Sequence, residues 1–403
     1  MRMLFVSHRM PYPPNKGDKI RSYNLLRYVS RSHEVYLASH FDDPADSRYL
    51  PILSSMTKKM HCEPIQRTSK KLCSAFGLLQ SIPISVSYFY SRKVQAWIDS
   101  LLDQVDVECI FCSSSPTAEY LFRSRHYDGK LKRVLKIMDL VDVDSYKWRQ
   151  YAERSKGPMK WVYAKEGQYL QQYERRIADE FDHLLLVTQS ENLLFKSFVP
   201  TTKSLAIMNG VDLEFFTPSF APPPVNGCGP TLVFTGAMDY WPNIDAVDWF
   251  ARDIFAKIRS VFPNALFRIV GSHPSPSVQR LAADCPGVEV TGWVDDIRPY
   301  IATADVCVIP LRVARGIQNK VLEAMAMGRP VVCTSQALEG IKATPGRDLL
   351  VADDADALSS AVLRLLRDAP ASVRMARRAR IFVETEYSWE SNLQPLRAMM
   401  QQA

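Results

Sequence analysis

Two stretches of alternating strand and helix signals, split by a segment that can be neither, constrain this chain more than any other feature. In the first stretch "RMLFVSH" (2–8), "HEVYLASH" (33–40), "VECIFCS" (107–113), "KRVLKIMD" (132–139) and "FDHLLLVT" (181–188) are short, continuous apolar runs. Such runs mark parallel strands buried on both faces. Between them, "DKIRSYNLLRYVSR" (18–31) and the segment 158–180 carry apolar residues at helical spacing. Then comes "SFAPPPVNGCGP" (219–230), half of it proline or glycine, through which no helix or strand can run. The alternation restarts with "TLVFTG", "ALFRIVG", "VEVTG", "ADVCVIP", "RPVVCTS" and "LLVAD", again with helical segments between. The pattern predicts an α/β protein of two doubly wound, Rossmann-like domains. The expected limits are 1–218, a linker at 219–230, a second domain over 231–385, and a helical tail at 386–403. Ligands of such sheets sit beyond the carboxyl ends of the strands. The loops in "FTGAMDYWPN" and "PLRVARGIQNK" are therefore expected at a central cleft faced by the two domains.

Composition excludes several classes. Across 403 residues, 47% are hydrophobic and 23% charged, ordinary for a globular protein with sizeable cores. No run of 18 apolar residues offers a membrane span. The apolar stretch at the N-terminus is too short for a signal peptide and reads as a first buried strand, so a cytoplasmic protein is expected. Cys109 and Cys112 have two-residue spacing, but they lie in a strand-like run and no second pair follows. A core role is favoured over zinc, and no metal site is expected. The net charge of +7 is uneven: residues 51–100 hold Lys58, Lys59, Arg67, Lys70, Lys71, Arg92 and Lys93 against Glu63 and Asp99. This segment is either a solvated face or a patch for an anionic membrane surface or a phosphate-bearing acceptor. No nucleic-acid motif accompanies the charge.

"FRIVGSHP", "VEVTGWVDDIRPYIATADVCVIPL", "NKVLEAMAMGRPVV" and "MNGVDLEFFTP" carry a family signature. They resemble glycosyltransferase family 4, the retaining, metal-independent nucleotide-sugar transferases of the GT-B fold. "GDKIRSYNLLRYV", "DLVDVDSYKWRQYA" and "GAMDYWPNIDAVDWF" look closest to bacterial sugar transferases linked to exosortase and exopolysaccharide loci. The resemblance implies transfer of a sugar from a nucleoside diphosphate to an acceptor hydroxyl, with retained configuration and no cofactor. It implies a glycan or lipid-linked acceptor and a peripheral site at the inner face of the cytoplasmic membrane. It also implies that the tail "YSWESNLQPLRAMM" crosses back to the first domain. Rival readings are a nucleotide-sugar epimerase and a non-catalytic nucleotide-sugar-binding partner subunit.

The stretch "RGIQNKVLEAMAMGRPVV" (315–332) concentrates the candidate site. Gly316, Ile317, Gln318 and Asn319 open a helix whose amides and dipole favour an anion such as a diphosphate. The alternative is that Gly316 merely ends a loop. Glu323 can accept two hydrogen bonds, and the family gives its second motif glutamate the ribose hydroxyls. The alternative is an exposed helix glutamate. Where the family has its first glutamate, eight residues earlier, this chain has Arg315. The loop "GAMDYWPN" also lacks the family's Arg and Lys, so Arg315 or Lys320 would supply the cation at the leaving group. Gly236 and Gly271 are expected beside the donor, and the backbone near Val294 beside the base, with Trp293 either stacking or core. In the first domain Gly17 precedes a helix, and Lys16, Lys19 and Arg21 are either phosphate contacts or part of a plain loop–helix junction. His8 is open between an active-site and a strand-end role. Asp139, Asp142 and Asp144 could hold a cation or cap turns; Asp139 and Asp142 are expected on the acceptor side and, with Arg315 and Lys320, complete the catalytic candidates.

Overall fold

The computed structural model describes residues 1–14, 17–41, 43–65, 82–220, 229–314 and 317–401. They form two compact units, each with its own parallel sheet. The first unit comprises Met1–Asn209 with Asn392–Ala403, and the second Gly210–Ser391. The division thus falls ahead of the proline-rich segment. Residues after Gly210 are already bound to the second unit: Val211 N donates to Tyr387 O at 2.7 Å, and a Cβ on Gly210 would lie 2.5 Å from Trp389 N.

In the first unit the strands are β1 (Arg2–Ser7), β2 (Glu34–Phe41), β3 (Lys59–Pro64), β4 (Cys109–Ser113), β5 (Leu135–Val141), β6 (His183–Leu186) and β7 (Ser204–Ala206). All run parallel in the order β3-β2-β1-β4-β5-β6-β7. The second unit has β8 (Thr231–Thr235), β9 (Leu266–Val270), β10 (Val288–Gly292), β11 (Val306–Ile309), β12 (Val331–Cys333) and β13 (Leu350–Val351). Their order is β10-β9-β8-β11-β12-β13, again parallel. Both sheets are doubly wound, as the apolar runs predict. The chain reverses direction across the sheet between β1 and β4, and again between β8 and β11. A crevice opens at the carboxyl ends of the strands at each such point.

The helices that matter here are α1 (Gly17–Ser30), α2 (Ile84–Phe89), α3 (Asp144–Arg154), α4 (Pro158–Glu180), α5 (Gln189–Lys196), α6 (Trp241–Trp249) and α7 (Asn319–Ala326). Strands β1 and β4 carry the first core: Phe5 stacks on Phe111 at 4.9 Å between ring centres, and both are fully buried. Cys109, Cys112, Cys307 and Cys333 are buried free thiols, and burial pushes each up to about 12, far from the thiolate that binds metal. Cys73 and Cys228 lie outside the described residues.

Two edge strands fall outside the apolar pattern, β3 ("KMHCEP") and β7 ("SLA"). Neither is a continuous apolar run, because an edge strand is only half covered, and β3 is intermediate or exposed along its whole length. Among the described residues no helix is long and apolar enough to cross a membrane.

Candidate functional site

In the second unit the loop after β8 and the start of α7 meet at the reversal point. Lys320, in the first turn of α7, donates to Asn243 Oδ1 at 2.6 Å, and its ammonium lies 4.3 Å from the centre of the Phe234 ring. An ammonium over a ring face is attracted by the ring's negative centre. Glu323 follows three residues later on the same helix. Burial raises the Glu323 carboxyl to about 7, against the opposing pull of Lys320. Burial likewise lowers the Lys320 ammonium to about 7, with Glu323 opposing. An acid and a base held in one desolvated corner are a usual mark of a functional site.

Gly236 makes this corner possible. A Cβ there would lie 2.7 Å from Asn243 Nδ2 and 3.0 Å from Lys320 Nζ. Gly271 closes the next strand end with φ +153°, and a Cβ on it would lie 1.7 Å from Gly236 O. The loops after β8 and β9 are further laced together, Met238 N to Ser272 O at 2.8 Å and Ser275 N to Met238 O at 3.2 Å. Gln318 is the residue before α7 and Asn319 its first. Ile317 packs against the core of the second unit, which anchors the entry to the helix. Val294 also packs on that core, while Trp293 is 67% exposed and free to stack. Arg315 and Gly316 lie outside the described residues.

In the first unit the reversal point gathers different chemistry. His8, just past β1, has Nε2 at 3.3 Å from Asp18 Oδ2, and Arg9 Nη1 reaches the same oxygen at 2.8 Å. Burial alone would raise the Asp18 carboxyl, but hydrogen bonds from His8 and Arg9 hold it well below the usual range. Two non-glycine residues have positive φ at neighbouring strand ends, Ser114 at 78° after β4 and Val141 at 69° ending β5. A β-branched residue rarely adopts this conformation. At Val141 it forms a tight turn, with Asp142 N bonded to Leu140 O at 3.0 Å, and so aims the chain into α3.

The three aspartates of this segment part company. Asp139 is fully buried and accepts from Arg21 Nε at 2.9 Å on both oxygens. Arg21, equally buried, also donates from Nη1 to Ile207 O at 2.7 Å and Asn209 Oδ1 at 2.8 Å. This network ties α1, β5 and the end of the first unit together. Arg21 is thus held within the first unit through its Nε and Nη1. Lys19 is 6% exposed and is bound to Asp46 at 2.8 Å. Lys16 lies outside the described residues. Gly17 opens α1, and the space where a side chain would begin is empty to 4 Å. Asp142 and Asp144 are partly exposed, and burial raises both carboxyls. Asp144 accepts from Ser115 Oγ at 3.3 Å. Glu174 accepts from Ser145 N at 3.0 Å, Glu166 from Ile84 N at 2.6 Å, and Glu191 from Val143 N at 2.7 Å. These glutamates serve helix starts. Among the described residues, no group of three or more His, Cys, Asp or Glu side chains is placed to hold a metal ion.

Sequence reasoning missed Asn243, Phe234 and Asn209. Asn243 could have been found: it sits where the β8 loop enters a helix, opposite the cation that the loop itself lacks.

Comparison with known proteins adds to this geometry. Residues 229–368 match the family described as "Glycosyl transferases group 1". A GDP-mannose-dependent monoacylated alpha-(1-6)-phosphatidylinositol monomannoside mannosyltransferase of Corynebacterium glutamicum is 31% identical over 235 residues, 54% of this chain. The match spans 61% of that relative's length. Among solved structures, sucrose-phosphate synthase of Thermosynechococcus elongatus superposes with a TM-score of 0.65 at 15% identity, over 100% of this chain and 98% of that one. HepE of Anabaena, in complex with UDP-glucose, gives 0.64 at 14% identity over 100% of both chains. The chain has the GT-B fold, with two Rossmann-like units. It is related to nucleotide-sugar glycosyltransferases.

Proposed function

We propose that this protein is a retaining, metal-independent glycosyltransferase that moves a sugar from a nucleoside-diphosphate sugar to an acceptor hydroxyl in exopolysaccharide or surface-glycan assembly. The corner formed by Lys320, Glu323, Asn243 and Gly236 carries this reading. Departure of a diphosphate builds negative charge on the leaving oxygens, and a preorganised cation beside helix amides stabilises that charge. Lys320 is the cation in this reading, standing in for the basic residues missing from "GAMDYWPN". Glu323 holds the ribose. Asp142, partly exposed beyond β5, is the acceptor-side carboxylate, while Asp139 acts only by holding α1 and β5. The relative from Corynebacterium glutamicum uses GDP-mannose and HepE was solved with UDP-glucose, so both nucleotides belong in the first screen.

The test is a thermal-shift survey of nucleotide sugars, followed by product analysis with whichever donor stabilises the protein. A ligand at 100 times its Kd stabilises by about 2.7 kcal/mol. Transfer to an acceptor supports the proposal. An epimerised nucleotide sugar supports an epimerase, and binding without turnover supports a partner subunit, the reading that Arg315 in place of a glutamate would favour.

Two outcomes are expected once a donor is known. Lys320→Ala should lower kcat roughly 10-fold, equivalent to about 1.4 kcal/mol, with a smaller rise in the donor KM, since the charge it meets grows in the transition state. An unchanged kcat with a raised KM would assign Lys320 to ground-state binding instead. Activity should also persist in excess chelator. Loss of activity that magnesium or manganese restores would point to Asp142 and Asp144 as ligands.

A further inference from the structure

The second unit holds an open groove of about 950 Å³ that the transfer reading does not use. Pro230, Asp305 and Pro330 line it, and each directly precedes a strand, β8, β11 or β12. The groove therefore lies at the amino ends of these parallel strands, at the opposite end of the sheet from Lys320. Helices α8 (Ala355–Arg367) and α9 (Ala369–Glu386) form its wall. Phe262, Leu365 and Leu366 give it an apolar floor. Along α9, Val373, Arg377 and Ile381 follow at four-residue spacing and so stand in one row. Val373 is 54% and Ile381 61% exposed.

The charges of the groove are unequal. Asp305 is the single acid among the described residues that line it, and it accepts from Thr231 N at 2.7 Å. Three arginines share the wall. Arg380 is committed to protein acceptors: its Nη1 donates to Phe216 O and Ala326 O, each at 2.6 Å, and its Nε to Glu384 Oε1 at 2.6 Å. Arg329 is not so committed. Its Nη1 makes one long bond, 3.4 Å, to Ala304 O, and its Nε is buried without an acceptor. Among the described residues no carboxylate lies within ion-pair distance of Arg329 or Arg377. A half-buried guanidinium with unmet donors calls for an acceptor. Its planar fork matches the paired oxygens of a carboxylate or phosphate, while the floor and the row on α9 suit an apolar body. A bare phosphate would leave the apolar surface wet, and an uncharged apolar molecule would leave Arg329 unmet. We infer that this groove binds a small amphipathic anion, a carboxylate or phosphate on an apolar body. Arg329 lies in the turn between α7 and β12, and Arg380 is bonded to the last residue of α7. An occupant thus rests against the far end of the helix whose first turn holds Lys320.

The full chain is titrated with anilinonaphthalene sulfonate, an anion on an apolar body whose emission rises when it leaves water, with and without excess UDP and GDP. A single saturable site that persists with both nucleotides present is expected. Phenyl phosphate and benzoate should displace the probe, and the better of the two identifies the anion that the site prefers. Inorganic phosphate and phenol should displace it only at roughly 100-fold higher concentration, since each lacks half of the required chemistry. Arg377 is exposed, so Arg377→Glu tests the charge without disturbing the core. Arg377→Glu and Arg329→Met should each weaken binding roughly 10-fold or more, with thermal unfolding as the control for folding. Failure to saturate overturns the inference, as does displacement by UDP or GDP alone, which would place the probe beside Lys320. Full binding in both arginine variants, or equal competition by inorganic phosphate, overturns it too.

Discussion

Asp139→Ala is expected to destabilise the first unit by about 3–5 kcal/mol, the usual effect of removing one partner from a buried ion pair. The magnitude follows from what remains. Arg21 is fully buried, and its Nε loses both carboxylate oxygens, each at 2.9 Å. Ile207 O and Asn209 Oδ1 still accept from Nη1, but neither carries a charge to balance the guanidinium. The penalty is thus that of a stranded buried cation. The double variant Arg21→Met with Asp139→Leu should recover much of the loss, because it removes both charges and fills the space. Urea unfolding, followed by circular dichroism and read on the first unit's transition, measures both variants. A single-variant loss below about 1 kcal/mol would show that water or another group reaches Arg21. A stable, folded Asp139→Ala that fails only in turnover would return Asp139 to the chemistry.

Glu323→Ala is expected to lower kcat/KM for the donor roughly 100-fold while the protein stays folded. Hydrogen bonds to a charged group contribute about 1.5–3 kcal/mol each, and the proposed ribose contact offers two. A second effect adds to the first. Glu323 is the group that holds the Lys320 pKa up against burial, so its removal leaves a smaller fraction of Lys320 charged near neutral pH. Glu323→Gln separates the two, since it keeps hydrogen-bonding capacity but not the charge. If the carboxylate binds ribose and supports Lys320, the glutamine variant should fall between wild type and alanine, and a higher nucleotide concentration should only partly restore its rate. Steady-state kinetics on one donor, with thermal unfolding as the folding control, decides the matter. Wild-type kinetics in Glu323→Ala would remove the ribose assignment.

The interior strands were legible because a strand covered on both faces must be apolar throughout, as in "LFVS" and "VCVIP". The edge strands β3 and β7 lacked that signature, since half of each is left to solvent. The division of the units at Gly210 carries no such signal, for a related reason. Proline and glycine mark where regular structure stops, whereas the units divide where packing changes partner, and Val211 is already bonded to Tyr387. Lys320 and Glu323 were singled out on one segment by the family resemblance and by their three-residue spacing on one helical face. Asn243 and Phe234 come from other elements, and only the folded sheet brings them beside Lys320. The same limit hid the fate of Asp139 and Arg21. A carboxylate at a strand end and an arginine on the first helix give no sign in the sequence that the fold joins them across 118 positions of chain.

The contact between Gly236 and Gly271 has a consequence for engineering specificity. The loops after β8 and β9 meet backbone to backbone, and each supplies hydrogen bonds that close the other. They are therefore a single exchangeable part. Grafting the β8 loop from a relative to import the missing cations would set foreign backbone against Gly271, where not even one methyl group fits. A workable graft would have to carry both loops and leave room for the Lys320 ammonium, which would lie 3.0 Å from a Cβ on Gly236.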